Sequence, residues 1–144
     1  MPIKSFRGKL TNEQIETISL HTNTGAIGYR IKKLEVIAEP GRNMECTFKV
    51  YKIPQTTATV DIDFDDQTLL AAAIYTSSSS GESYPDEQHV VFDNEVFNQD
   101  IYLTVKKQTN MDIDLNYYIE LEQVKLDLNE NTVATLKDIR NIKV

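Results

Sequence analysis

The 144-residue chain has no tryptophan, one cysteine and two histidines. Each scarcity removes a class of chemistry. A lone Cys46 cannot close a disulfide within one chain, and it cannot supply the paired thiolates of a cysteine zinc site. His21 and His89 are the only side chains with an ordinary pKa near neutrality, so there is little material for acid–base catalysis or for a histidine-rich metal centre. No apolar run approaches the roughly 18 residues that cross a bilayer; the longest, LLAAAIY, covers Leu69 to Tyr75. Basic clusters are equally scarce. Lys32-Lys33 and Lys106-Lys107 are the only paired lysines in a chain of net charge −7, so neither nucleic acid nor an anionic membrane is an expected partner. The opening MPIKSFRGKL has no apolar stretch of the secretory type, and the expectation is a chain made and kept in the cytoplasm until assembly or lysis.

What is present is alternation. Met44, Cys46, Phe48 and Val50 fall on one side of a strand, with Glu45, Thr47 and Lys49 on the other. Ile101, Leu103 and Val105 alternate with Tyr102, Thr104 and Lys106, and Leu115, Tyr117, Ile119 and Leu121 with Asn116, Tyr118, Glu120 and Glu122. Antiparallel sheets with one face on a core produce this pattern, so the expected fold is mainly β. Two phase changes stand out. Ile27, Tyr29 and Ile31 give way to Leu34, Val36 and Ala38 at Lys32-Lys33, and Leu121 gives way to Val124 and Leu126 at Glu122-Gln123. Side chains alternate strictly, so each change predicts a bulge or a strand that crosses between sheets. Long bulged strands belong to curved sandwiches, and the predicted architecture is a single antiparallel β-sandwich, jelly-roll-like, over residues 1–144.

Turn residues punctuate the runs in HTNTGAIG (His21 to Gly28) and EPGRN (Glu39 to Asn43), and Pro54 closes the strand begun at Met44. TSSSSGESYPDEQ, residues 76–88, reads as a long surface loop. Residues 1–12 precede the main alternation and read as an N-terminal arm. Val133, Leu136 and Ile139 are spaced by three, with Asn129 before them and Arg140 late, which predicts one short helix over 129–141.

The most unusual stretch is TVDIDFDD, Thr59 to Asp66. Asp61, Asp63 and Asp65 match the first three oxygen ligands of an EF-hand loop. Asp66 then stands where that loop needs glycine, and Ala72 where it needs a bidentate glutamate. Val60, Ile62 and Phe64 alternate with the acids, so the predicted structure is a strand with one carboxylate face in water. An inter-subunit ion pair and a cation site at Asp61, Asp63 and Asp65 are the alternatives. Catalysis is not expected. His89, Asp93 and one of Ser77 to Ser80 could be imagined as a triad, but the chain has no G-x-S-x-G elbow, no phosphate-binding loop and no dinucleotide fingerprint. Cys46 lies on the apolar side of its strand, where a thiol packs rather than reacts. Neither a cofactor nor a resident metal is expected. Tyr75, Tyr84 and Tyr102 are the tyrosines expected at the surface, where they would serve a sugar or a subunit contact equally well.

GAIGYRIKKLEV, DQTLLAAAIY, VVFDNEVFNQDIYLTVK, NYYIELE and VATLKDIRN together resemble a family of small virion structural proteins from tailed phages of marine bacteria, cyanophages included. The likeness runs from about Ile15 to Ile142. It implies a structural component of the particle and does not fix its place there; the expected compact sandwich and the acidic charge add the expectation of a non-enzymatic capsid decoration or cement protein at the outer surface that bridges neighbouring capsomers. The expected partners are the major capsid protein and further copies of the chain, with a trimer as the expected oligomer. The alternative is a neck, tail or fibre-associated protein, including a receptor- or glycan-binding module, which exposed aromatics flanking residues 76–88 would favour. Phe6 and Arg7, in the N-terminal arm, are the candidate interface residues.

Overall fold

Cys46, Phe48 and Val50 are fully buried in a computed structural model of the chain, as their alternation requires. The structure describes residues 3–20, 26–38, 44–77, 86–92, 95–107 and 114–126. These residues form eight strands: β1 (Ile3–Thr11), β2 (Ile15–Ile18), β3 (Ile27–Ala38), β4 (Met44–Tyr51), β5 (Leu69–Ser77), β6 (Asp86–Val91), β7 (Ile101–Lys107) and β8 (Asp114–Lys125). Every pairing is antiparallel, in two sheets of order β1-β8-β3 and β2-β7-β4-β5-β6.

The order is that of a jelly roll, with the chain passing between sheets so that first and last strands pair and second and seventh pair. One strand departs from that scheme. β6 stays with β5 at the edge of the larger sheet instead of crossing to pair with β3. The freed edge of β3 is bridged at one end, where Tyr29 N–H donates to Phe97 carbonyl at 2.7 Å and Phe97 N–H returns the bond at 2.9 Å. Gly28 is required by this approach, because a Cβ there would stand 2.8 Å from a methyl of Val96.

The core lies between the sheets. Leu34, Ile119 and Leu121 from the small sheet meet Phe48, Leu103 and Val105 from the large one, all buried. The Phe48 and Tyr117 rings stack across the gap, centroids 5.8 Å apart. Burial of each such side chain contributes about 1.5–3 kcal/mol. Tyr117 is also tied at its tip: its hydroxyl donates to Glu16 Oε2 at 2.8 Å. Burial first, and that bond second, push its phenol pKa up.

Three sequence expectations are corrected here. Residues 3–11 are not a free arm, since β1 pairs along β8 from Ile3 opposite Glu122 to Thr11 opposite Asp114. The reason lies in its own pattern: Phe6 and Leu10 share the inner face with Ile119 and Leu115, and only pairing buries them. The phase change at Lys32-Lys33 is a bulge, with the register shifting between Ile31 and Lys33. The second, at Glu122-Gln123, is not. β8 runs through it unbroken, Gln123 opposite Tyr29, and Leu126 is buried after the strand ends, its N–H on the carbonyl of Ala26 at 2.9 Å. The loop expected over 76–88 is corrected at both its ends, where Thr76 opposes Asp86 and Glu87 and Gln88 continue the β5–β6 pair; its residues 78–85 lie outside the described residues. The helix expected over 129–141 lies outside the described residues.

Candidate functional site

The outer face of β4 carries Thr47 and Lys49, and both are buried. A polar face in the middle of a sheet is buried only if something lies over it. Here that cover is the long connection from β4 to β5, residues 52–68, which contains TVDIDFDD. Lys49 Nζ donates to Thr59 Oγ1 at 2.8 Å and to the carbonyl oxygen of Asp61 at 2.6 Å. The same ammonium lies 5.5 Å from the centre of the Tyr51 ring. Burial pulls the Lys49 pKa below its ordinary value, opposed by the charges of Asp61 and Asp66.

The acidic stretch is therefore a strap and not the predicted strand. Alternation specifies a side-chain direction without specifying a pairing partner, and β4 is already paired on both edges, by β5 and β7. The strap crosses the sheet face and turns within itself. Asp63 Oδ1 accepts from Asp65 N–H at 2.9 Å, and the Asp63 carbonyl accepts from Asp66 N–H at 3.1 Å. Asp66 Oδ1 then accepts from both the N–H and the hydroxyl of Thr68, at 2.9 and 2.6 Å, closing the turn into β5. Asp63 and Asp66 thus serve as turn formers, whose short carboxylates bond the backbone two residues on. Asp61 and Asp65 are exposed. Among the described residues, no three His, Cys, Asp or Glu side chains are placed to hold a metal ion.

Beside the strap runs an apolar groove of about 340 Å³, walled by Ile62 and Phe64 on one side and by Ile74 and Val90 on the other, with Ala72 at its floor. Phe64 is 57% exposed and Val90 43%. The Phe64 ring is held edge-on to Phe92, centroids 5.3 Å apart. At the rim of the sheet His89 Nδ1 meets Glu87 Oε1 at 2.5 Å.

The other candidates separate. Phe6 and Arg7 face opposite sides of β1: Phe6 packs against the core and Arg7 is exposed, opposite Tyr118. Arg7 lines an open depression with Lys9, Asn116 and Tyr118. Tyr75 is buried, not at the surface, because it faces inward opposite Cys46. Tyr102 is half-buried. His21, Tyr84, Asp93 and Ser78 to Ser80 lie outside the described residues. Cys46 is buried and burial pushes its thiol up to about 12, which keeps it protonated and inert at neutral pH. Sequence reasoning missed Lys49 altogether. Its only trace in the sequence is the long connection rich in acids that follows its strand.

No protein-family model matches the chain, and no curated protein matches it in sequence.

Proposed function

We propose that this β-sandwich is a non-enzymatic virion structural protein of a tailed phage, a decoration or cement protein on the outer surface that stabilises the joints between capsomers. The observation that carries the reading is the apolar groove beside β6, with Phe64 and Val90 exposed at its mouth. Exposed apolar surface of this kind, next to a sheet edge that no described strand pairs, marks contact with another protein. The major capsid protein is the partner proposed. Acidic charge supports the reading too, since a protein outside the DNA-filled shell needs no basic lining. The resemblance of its strand phrases to small virion proteins points the same way. Such a protein acts by binding the assembled state more tightly than the separated one.

The test is the count and location of the chain in purified particles by cryo-electron microscopy. Hundreds of copies on the shell at local symmetry positions, with Phe64 and Val90 against a neighbour, are expected. Six or twelve copies at the neck or tail would move the protein to a connector or fibre role. Absence from the particle would overturn the virion reading.

A further inference from the structure

Among the described residues no strand pairs with the outer side of β6, and its backbone groups on that side have a definite pattern. Phe92 N–H donates to Leu70 carbonyl at 3.0 Å, and Ala71 stands opposite Val91. Alternation along an antiparallel pair then points the N–H and C=O of Gln88 and Val90 toward β5, and those of Glu87, His89 and Val91 away from it.

We propose that β6 is where a second copy of this chain docks, the two β6 strands pairing antiparallel about a two-fold axis at Gln88, so that the two five-stranded sheets become one. The two-fold requires each residue to meet one of the same face, and centres on Glu87, Gln88, His89 and Val90 satisfy that with outward groups; the last pairs only 89–91 and leaves Glu87 without a counterpart in the strand. Centring on Glu87 sets two carboxylates against each other. Centring on His89 sets imidazole against imidazole. Centring on Gln88 places His89 opposite Glu87 of the partner subunit, and Glu87 opposite the partner's His89. In that register an imidazole N–H faces a carboxylate on each side of the axis, and both residue pairs exchange backbone hydrogen bonds.

The remaining edges do not offer this match. β2 is four residues long. β3 is bridged by Phe97 at one end and bulged at Lys32. β1 carries Lys4, Arg7 and Lys9 and no acid, so self-pairing there would set cations against cations. The proposal does not depend on the virion reading; it concerns two copies of the chain in solution.

Five residues of each strand, 86–90, pair in this register, which buries less than a standard interface, so the dimer is weak and must be sought at high protein concentration, about 100 μM. The experiment is sedimentation velocity on the purified chain, on His89→Glu, and on the exchange variant Glu87→His with His89→Glu. Each is checked for wild-type circular dichroism and melting. The wild type is expected at twice the 16.4 kDa monomer mass. His89→Glu sets carboxylates opposite each other and should weaken association about tenfold or more, while the exchange variant, which restores the opposite pairs, should dimerise again. Should His89→Glu fail to fold, His89→Pro replaces it, since the N–H it deletes points away from β5 and only the bond to the second copy is lost. A wild-type monomer at this concentration overturns the proposal. So does a trimer indifferent to His89→Glu, or an exchange variant that stays monomeric while the wild type dimerises.

Discussion

The ammonium of Lys49 donates to the backbone carbonyl of Asp61 at 2.6 Å, joining the middle of the five-stranded sheet to the acidic strap that crosses it. The bond explains how a lysine comes to be only 2% exposed in a β-sandwich. Its stem covers the sheet and its charge is met by a hydroxyl, a carbonyl and the field of two aspartates. Unpartnered, a buried ammonium would cost several kcal/mol.

Replacing Lys49 with alanine removes both the donor and the stem. The expected loss is about 2–4 kcal/mol, from unsatisfied acceptors under the strap and the space left behind. Lys49→Met keeps the volume and should cost less. Urea unfolding measures both, and limited thermolysin digestion should cut faster within 52–68 in the alanine variant. A wild-type urea midpoint for Lys49→Ala would show that the strap is held by other contacts.

Alkaline pH should unfold the protein earlier than its net charge alone suggests. Burial raises the Cys46 thiol from 9.0 to about 12. Burial, then Asp66 and Asp63, raise the Tyr51 phenol from 10.0 to about 12. Both groups stay protonated in the folded chain where the unfolded chain has ionised. Their stabilisation is therefore whole below pH 9 and is lost as pH climbs toward 12, by roughly 1 kcal/mol per pH unit for Cys46. Lys49 acts in the opposite sense: its folded pKa lies below its ordinary 10.5, so its titration adds stability as pH rises through that interval. Urea unfolding at successive pH values should give a flatter profile between pH 9 and 10 for Cys46→Ala than for wild type.

Gly8 lies beneath the Tyr117 ring. A Cβ there would come within 2.8 Å of the hydroxyl oxygen and 2.9 Å of a ring carbon. The ring cannot swing away freely, being stacked on Phe48 and bonded to Glu16. Gly8→Ala should cost about 1–3 kcal/mol. Combined with Tyr117→Phe, which removes the nearer atom and its tether, the loss should be smaller than the sum of the two single changes. Strict additivity in thermal melts would place the strain elsewhere.

Phe64 and Phe48 should behave as opposites. Phe48→Ala empties the centre of the core and should cost about 3–5 kcal/mol. Phe64→Ser gives up a half-exposed ring and one edge-on contact, about 0.5–1.5 kcal/mol in the isolated chain. On the proposed virion role, the same change together with Val90→Ser should nonetheless reduce incorporation into particles, measured as chain copies per virion against wild type. Unchanged incorporation would remove the groove from the assembly surface.

Much of the fold was legible along the chain. The buried sets on β4, β7 and β8, the inward Cys46 and the bulge at Lys32 all follow from where apolar residues recur by twos. The candidate site was far less so. Lys49 occupies a polar position in its strand, and nothing local distinguishes a lysine facing water from one facing a strap. Tyr75 was misplaced for the related reason that the short run around it is apolar on both sides, so the pattern does not say which side is the core. The row of acids read as a strand because Ile62 and Phe64 alternate with them, although their apolar side chains line a groove and complete no sheet.

By itself, then, the order of residues determined that this chain makes antiparallel strands and, where apolar and polar residues alternate as on β4, β7 and β8, which side chains turn inward, because that direction is set by the backbone's two-residue period. The tertiary structure alone decided which strands pair, that β6 remains at an edge, and that TVDIDFDD lies across a sheet held by a buried lysine. Those outcomes depend on which hydrogen-bonding edges are already taken when distant segments meet, and no local pattern carries that information.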